Sequence, residues 1–204
     1  MLANLYLNPL DWLLEELGVE SVRYAEDIVV MARSAEEAKR ALETISRWAE
    51  KAQLALHPEK TRIVDLGQAR ASFDFLGYRF LRTKRGKFIR LIRPKSRQKL
   101  RQNLKRPTKR ANGKSLEAIV AHLNPKLKGW FAHFKQAHWS ELEEMDGWVR
   151  MRLRSILRKR HQGKGRGRGL DQVKWLNRYF ENLGLYSLVQ AREEATSLRK
   201  GATC

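Results

Sequence analysis

Pro94 marks the sharpest change of pattern in the sequence. Ahead of it, short apolar and β-branched runs are interleaved with two stretches of helical periodicity; after it, apolar residues recur at spacings of three and four. Strands and amphipathic helices bury different kinds of face. The chain is therefore predicted to be α+β: residues 1–94 with antiparallel strands and helices, then an all-helical part. A glycine-rich run divides the helical part again, into 95–162 and 163–204.

Leu2, Leu5, Tyr6, Leu10, Leu13, Leu14 and Leu17 share one helical face, with Pro9 predicted to open a turn or kink it and Gly18 to end it. Residues 22–24 and 28–32 read as short strands around Ala25-Glu26-Asp27. Ser34 and Glu37 make a capping box for a second amphipathic helix. Residues 54–56, 62–66, 73–80 and 88–92 are strand candidates, the last two joined by a turn at Lys84-Arg85-Gly86. Beyond Pro94, helices are predicted at 96–106 and 116–123, the second opened by Ser115. Asn124-Pro125 reads as an N-cap with proline in the first helical position, Ser140 as the cap of a helix at 141–161, and Asp171 as the cap of a last helix.

Charge follows the same division. The chain holds 42 Lys and Arg against 22 Asp and Glu, a net of +20. Residues 1–70 carry a net −3 and the remainder +23, so the excess sits in the helical part and calls for a polyanionic partner. The longest apolar run, Ile28 to Ala32, is five residues, far below the ~18 that span a bilayer. The start does not read as a signal peptide, and the single cysteine, Cys204, excludes internal disulfides and cysteine-based zinc sites. The expectation is a soluble, cytoplasmic, nucleic-acid-associated chain with no membrane segment.

Two adjacent carboxylates, Glu26 and Asp27, sit in a tight turn between apolar strands. Paired carboxylates collect Mg²⁺, whose remaining ligands come from substrate phosphates. The stretch Tyr24-Ala25-Glu26-Asp27 resembles the Tyr-Ala-Asp-Asp motif of reverse transcriptases. Further motifs, in order, resemble the reverse transcriptase/maturase proteins of group II introns: Leu2-Ala3-Asn4-Leu5-Tyr6-Leu7-Asn8-Pro9-Leu10-Asp11, Leu56-His57-Pro58-Glu59-Lys60-Thr61 and Phe73-Asp74-Phe75-Leu76-Gly77-Tyr78. Leu123-Asn124-Pro125 with Gly129-Trp130, and the tail from Tyr179-Phe180 to Leu188, resemble that family's maturase-specific thumb, domain X.

The resemblance implies the rear of a reverse-transcriptase palm followed by an all-helical basic thumb, and in complete relatives intron splicing and RNA-directed DNA synthesis. It begins at the helix ahead of the paired carboxylates, so the implied chain is a C-terminal fragment without the fingers and the other metal-binding strand. The family's pair is Asp-Asp; Glu26 adds a methylene, and a displacement of about an ångström can cost roughly a hundredfold in rate. Glu26 and Asp27 are thus catalytic and Mg²⁺-binding candidates that need completion by a protein partner supplying the missing palm and fingers. The expected function is maturase-type binding of structured intron RNA, or an RNA/DNA hybrid, without autonomous polymerase activity. The alternatives are a polymerase completed in trans and a non-functional remnant.

The RNA-binding candidates are Lys126, Lys128 and Lys135; Arg150, Arg154, Arg158, Lys159 and Arg160; and Lys164, Arg166 and Arg168. Arg150, Arg154 and Arg158 fall on one helical stripe, predicted to face solvent, and no acidic residue lies in 148–170. The run 163–169 reads as a mobile arginine loop tracking a nucleic-acid backbone, since it lacks the Gly-Lys-Ser/Thr ending of a phosphate-cradling loop. Trp130, Phe131 and Phe134 have the spacing of core residues; base stacking is the other reading.

Overall fold

The computed structural model describes residues 2–167 and 169–201; the predictions for Arg168 and Cys204 lie outside the described residues. It is mixed α+β, with eight helices and two small antiparallel sheets among the described residues. Two compact units emerge, 1–88 and 89–204. No helix among the described residues is long and apolar enough to cross a membrane.

In the first unit, α1 (Leu2–Glu16) contains Pro9 and ends where Gly18 takes a left-handed φ of 77°. The Gly18 amide donates to the Glu15 carbonyl at 2.9 Å and the Val19 amide to Leu14 at 3.3 Å, which satisfies carbonyls that a helix end leaves open. β1 (Glu20–Tyr24) and β2 (Asp27–Met31) form an antiparallel hairpin in which Tyr24 faces Asp27. The Ser34 hydroxyl accepts from the Glu37 amide and starts α2 (Ala35–Lys51). Leu10, Leu14, Val19 and Ile45 make the core, with Ile28, Val30 and Trp48 packed against it.

Residues 54–56 and 62–66 are not strands. Other bonds claim part of that backbone instead: the Leu54 amide donates to the Ala49 carbonyl at 2.8 Å, and the Leu66 carbonyl accepts from Arg82 Nη1 at 3.0 Å. The single strand expected at 73–80 is two, β3 (Ser72–Phe75) and β4 (Tyr78–Arg82), paired as a hairpin. Leu76 and Gly77 both adopt positive φ, 48° and 82°, and so form its two-residue turn. Phe73 and Phe80 then stack at 4.9 Å. A turn closed by Thr83 and Lys87 leads into β5 (Phe88–Ile92), which carries the chain into the second unit.

The second unit consists of α3 (Pro94–Lys105), α4 (Leu116–Phe134), α5 (Trp139–Arg160), α6 (Leu170–Lys174), α7 (Asn177–Asn182) and α8 (Leu188–Gly201). Ser115 caps α4 as expected, accepting from the Ala118 amide. Asn124-Pro125 does not start a helix, because α4 runs through it. Interior proline costs about 3 kcal/mol, but α4 buries seven apolar side chains on one face, worth on the order of 10 kcal/mol. Burial wins. Ala121, whose carbonyl loses the proline N–H, is exposed to water. Ser140 is likewise inside α5 rather than its cap; its hydroxyl lies 2.8 Å from His138 Nδ1. The last predicted helix is split at Trp175-Leu176 into α6 and α7, with Asp171 within α6.

Candidate nucleic-acid interface

α5 is the spine of the second unit. Leu142, Met145, Val149, Leu153 and Ile156 are fully or nearly fully buried along it, and its last turn carries Arg158, Lys159 and Arg160, whose charges suit the negative end of the helix dipole. The stripe of Arg150, Arg154 and Arg158 does not face open solvent. The chain from Gly163 to Asn177 folds back over it.

Two glycines make that return path. The Gly167 amide donates to Ser155 Oγ at 2.8 Å, and a Cβ at 167 would stand 2.6 Å from Arg154 Cβ and 2.9 Å from the Ser155 nitrogen. A Cβ at Gly163 would stand 2.6 Å from Arg158 Cγ. Any side chain at 167 would push the chain off the helix backbone, so Gly163 and Gly167 lie directly on α5, while Gly165 has nothing within 4 Å.

Arg154 retains only 6% exposure. Its Nε donates to the Trp175 carbonyl at 2.9 Å and its Nη2 to Asn177 Oδ1 at 2.8 Å, and its guanidinium lies 5.2 Å from the centre of the Phe180 ring. Burial, with the Arg150 charge behind it, lowers its pKa from the ordinary arginine value. Arg158 donates through Nη1 to Asp171 at 2.8 Å and through Nε to the Lys164 carbonyl at 2.6 Å. Arg150 is half-buried, with its nearest carboxylate oxygen, on Asp146, 3.9 Å away.

Lys128, Lys135, Lys159, Arg160, Lys164 and Arg166 are exposed, and Lys126 is half-buried. Arg160 donates to the Lys114 carbonyl, and Lys128 Nζ lies 5.7 Å from the centre of the Tyr186 ring. Phe131 and Phe134 are buried, and the Trp130 ring packs on Phe134 at 4.8 Å, so these aromatics belong to the core as their spacing indicated.

Three acidic residues of this unit, Glu141, Asp146 and Asp171, are buried, whereas Glu117, Glu143, Glu144, Glu181, Glu193 and Glu194 are exposed. Glu141 accepts from the Ile92 amide and pairs with Arg97, while Glu144 takes Arg97 and Arg101. Asp146, 3% exposed, accepts from the Ser187 hydroxyl and the Leu188 and Val189 amides, capping α8 from inside the core. Burial raises its pKa above the ordinary carboxyl value against these bonds. Asn124 is also committed: its Nδ2 donates to the Gly184 carbonyl and its Oδ1 accepts from the Tyr186 amide, joining α4 to the turn before α8.

In the first unit, Glu26 and Asp27 are adjacent and exposed at the β1–β2 turn, where Ala25 has a φ of 53°. Asp11 does not join them. Its carboxylate is held by Arg23, with contacts of 2.8 and 2.5 Å, and those hydrogen bonds hold it below the ordinary carboxyl range. Among the described residues no group of three or more histidine, cysteine, aspartate or glutamate side chains could hold a metal ion.

The comparisons with known proteins fall on the same two units. The model of the reverse transcriptase (RNA-dependent DNA polymerase) family matches residues 1–80, which include the carboxylate hairpin. The model of the group II intron, maturase-specific domain matches residues 97–180, from α3 to α7. The chain belongs to the group II intron reverse transcriptase/maturase family. No curated protein matches it.

The maturase-specific domain thus contains α5, Gly163 and Gly167 packed on it, and the buried Glu141, Asp146 and Asp171. Sequence reasoning missed Asp146 and Asn124 as structural groups. The signal for Asp146 was present: it lies among Leu142, Met145, Val149 and Leu153 at core spacing, where an acid must find partners. For Asn124 the partners are 60 and 62 residues away, and no local pattern announces them.

Proposed function

We propose that this chain is a maturase-type RNA-binding protein that grips group II intron RNA through phosphate contacts from its helical unit and helps that RNA splice. The observation that carries this reading is the sorting of charge. Three of its acidic residues, Glu141, Asp146 and Asp171, are buried, while Lys128, Lys135, Lys159, Arg160, Lys164 and Arg166 are exposed, with the exposed Glu117 in the electrostatic neighbourhood of Arg160. Such a surface gains affinity by releasing counterions from phosphates. With about six phosphates engaged, affinity should fall roughly a thousandfold between 50 and 200 mM salt. Anisotropy of a labelled intron RNA across that range tests it, and an affinity that ignores salt would remove the argument.

The reverse-transcriptase match supports a second reading, RNA-directed DNA synthesis, through the Tyr24-Ala25-Glu26-Asp27 hairpin. In that reading Mg²⁺ takes Asp27 and Glu26 together with ligands supplied by a partner polypeptide. The observed commitment of Asp11 to Arg23 favours the RNA-binding reading for this chain by itself.

A further inference from the structure

Beside α5 lies a cleft of about 340 Å³, walled by Gly147, Arg150 and Arg154 on the helix and by Gly167 and Asn177 on the chain that folds over it. Two guanidiniums one turn apart line this space, and neither has a carboxylate at hydrogen-bond distance among the described residues. Both polar partners of Arg154 are neutral, a carbonyl and an amide oxygen, and its remaining nitrogen, Nη1, has no protein partner among the described residues. Arg150 makes no hydrogen bond among the described residues; its ion pair is the 3.9 Å approach to Asp146, a carboxylate already bonded to Ser187 and to two amides of α8. Asp146 and Asp171 offset part of this charge from a distance, but both guanidiniums are drawn out of water and they repel each other, which is unfavourable. The walls keep the space open. A Cβ at Gly147 would meet nothing within 4 Å, and Gly167 lines the cleft with backbone alone.

We propose that this cleft seats one phosphate group of a bound RNA strand between Arg150 and Arg154. The assignment rests on the RNA-binding reading above and adds its location. A phosphodiester oxygen pair matches the forked donors of Arg150. A phosphate there neutralises both guanidiniums at once. It is an inset contact, distinct from the exposed lysines, and its loss cannot be made up by sliding the RNA along the surface.

The test uses the full chain, a labelled RNA hairpin read by anisotropy, and the variants Arg150→Gln and Gly147→Asp. The first removes the fork; the second places a carboxylate in open space at the cleft without crowding a neighbour. Each should weaken binding about tenfold, and Arg150→Gln should lower the slope of log affinity against log salt by about one. Thermal unfolding of Gly147→Asp should match wild type, so a folding defect in Arg150→Gln would leave the second variant to decide. In parallel, inorganic phosphate added to wild type should shift the Gly147 and Gly167 amide NMR signals, and should not do so in Arg150→Gln. Wild-type affinity and slope in a folded Gly147→Asp protein would overturn the proposal. Shifts with free phosphate alongside unchanged RNA binding would also overturn it, since the cleft would then take the free ion. If wild type fails to bind the hairpin at all, the RNA-binding reading falls, and the cleft with it as an RNA site.

Discussion

Arg154→Met keeps most of the side chain's aliphatic stem but removes the guanidinium over Phe180 and both hydrogen bonds that fasten α5 to the chain beyond it. The two lost partners are unequal. Asn177 is exposed, so its Oδ1 returns to water at little cost. Trp175 is 7% exposed, and its carbonyl is left without a donor, worth about 1–3 kcal/mol, with the stronger character of a charged donor lost as well. Removing a desolvated guanidinium offsets part of this. The net expectation is a destabilisation of about 2 kcal/mol. Arg154→Lys, which keeps the charge and one donor, should lose about half of that. A solvent-facing arginine would change stability by no more than ~0.5 kcal/mol. Urea denaturation of the full chain gives the magnitude, and hydrogen exchange at 175–180 shows whether α6 and α7 loosen before the rest. An Arg154→Met protein as stable as wild type, with unchanged exchange there, would refute the account of Arg154 as a fastening.

Gly167→Ala should destabilise the second unit by about 1–3 kcal/mol, because the new methyl meets helix backbone that cannot yield. Gly147→Ala should stabilise by up to ~1 kcal/mol, since the helix gains propensity and nothing is struck; thermal melts of the pair check both signs. Asp146 has a raised folded-state pKa, so its titration favours the fold below about pH 4, the unfolded carboxyl value, and that contribution fades as pH rises through the raised value. The stability of wild type relative to Asp146→Asn should therefore decline from acid towards neutral pH in urea titrations; an advantage that grows with pH would contradict the burial argument. Mg²⁺ added to the chain should leave the amide NMR signals of Tyr24 to Asp27 unsaturated below millimolar concentrations, and Glu26→Asp should not change that, because Asp11 stays with Arg23.

Legibility in the sequence followed the range of the interactions. Ser34 and Ser115 were readable as caps because each bonds an amide three residues away. The strands around Glu26-Asp27 were readable from β-branched runs and a short turn. Asn124-Pro125 misled because its local meaning, a helix start, lost to the apolar face of a helix that continues through it. The arginine stripe misled for the converse reason. Spacing correctly put Arg150, Arg154 and Arg158 on one face, but what covers that face depends on glycines at 163 and 167 that spacing alone assigned to a loop. The charge split between the two parts was plain in the composition, whereas the burial of Glu141, Asp146 and Asp171 was not, since each bonds a partner 13 to 49 positions away.

Asp146 and Asn124 are satisfied by residues 184–189. During synthesis on the ribosome, α4 and α5 are complete long before that segment has been made. Until it arrives, a carboxylate and a carboxamide stand bare on surfaces that must become core. The helical unit is therefore locked only once the chain has been made through Val189. A chain interrupted before Leu188 should remain loosely packed and open to proteases.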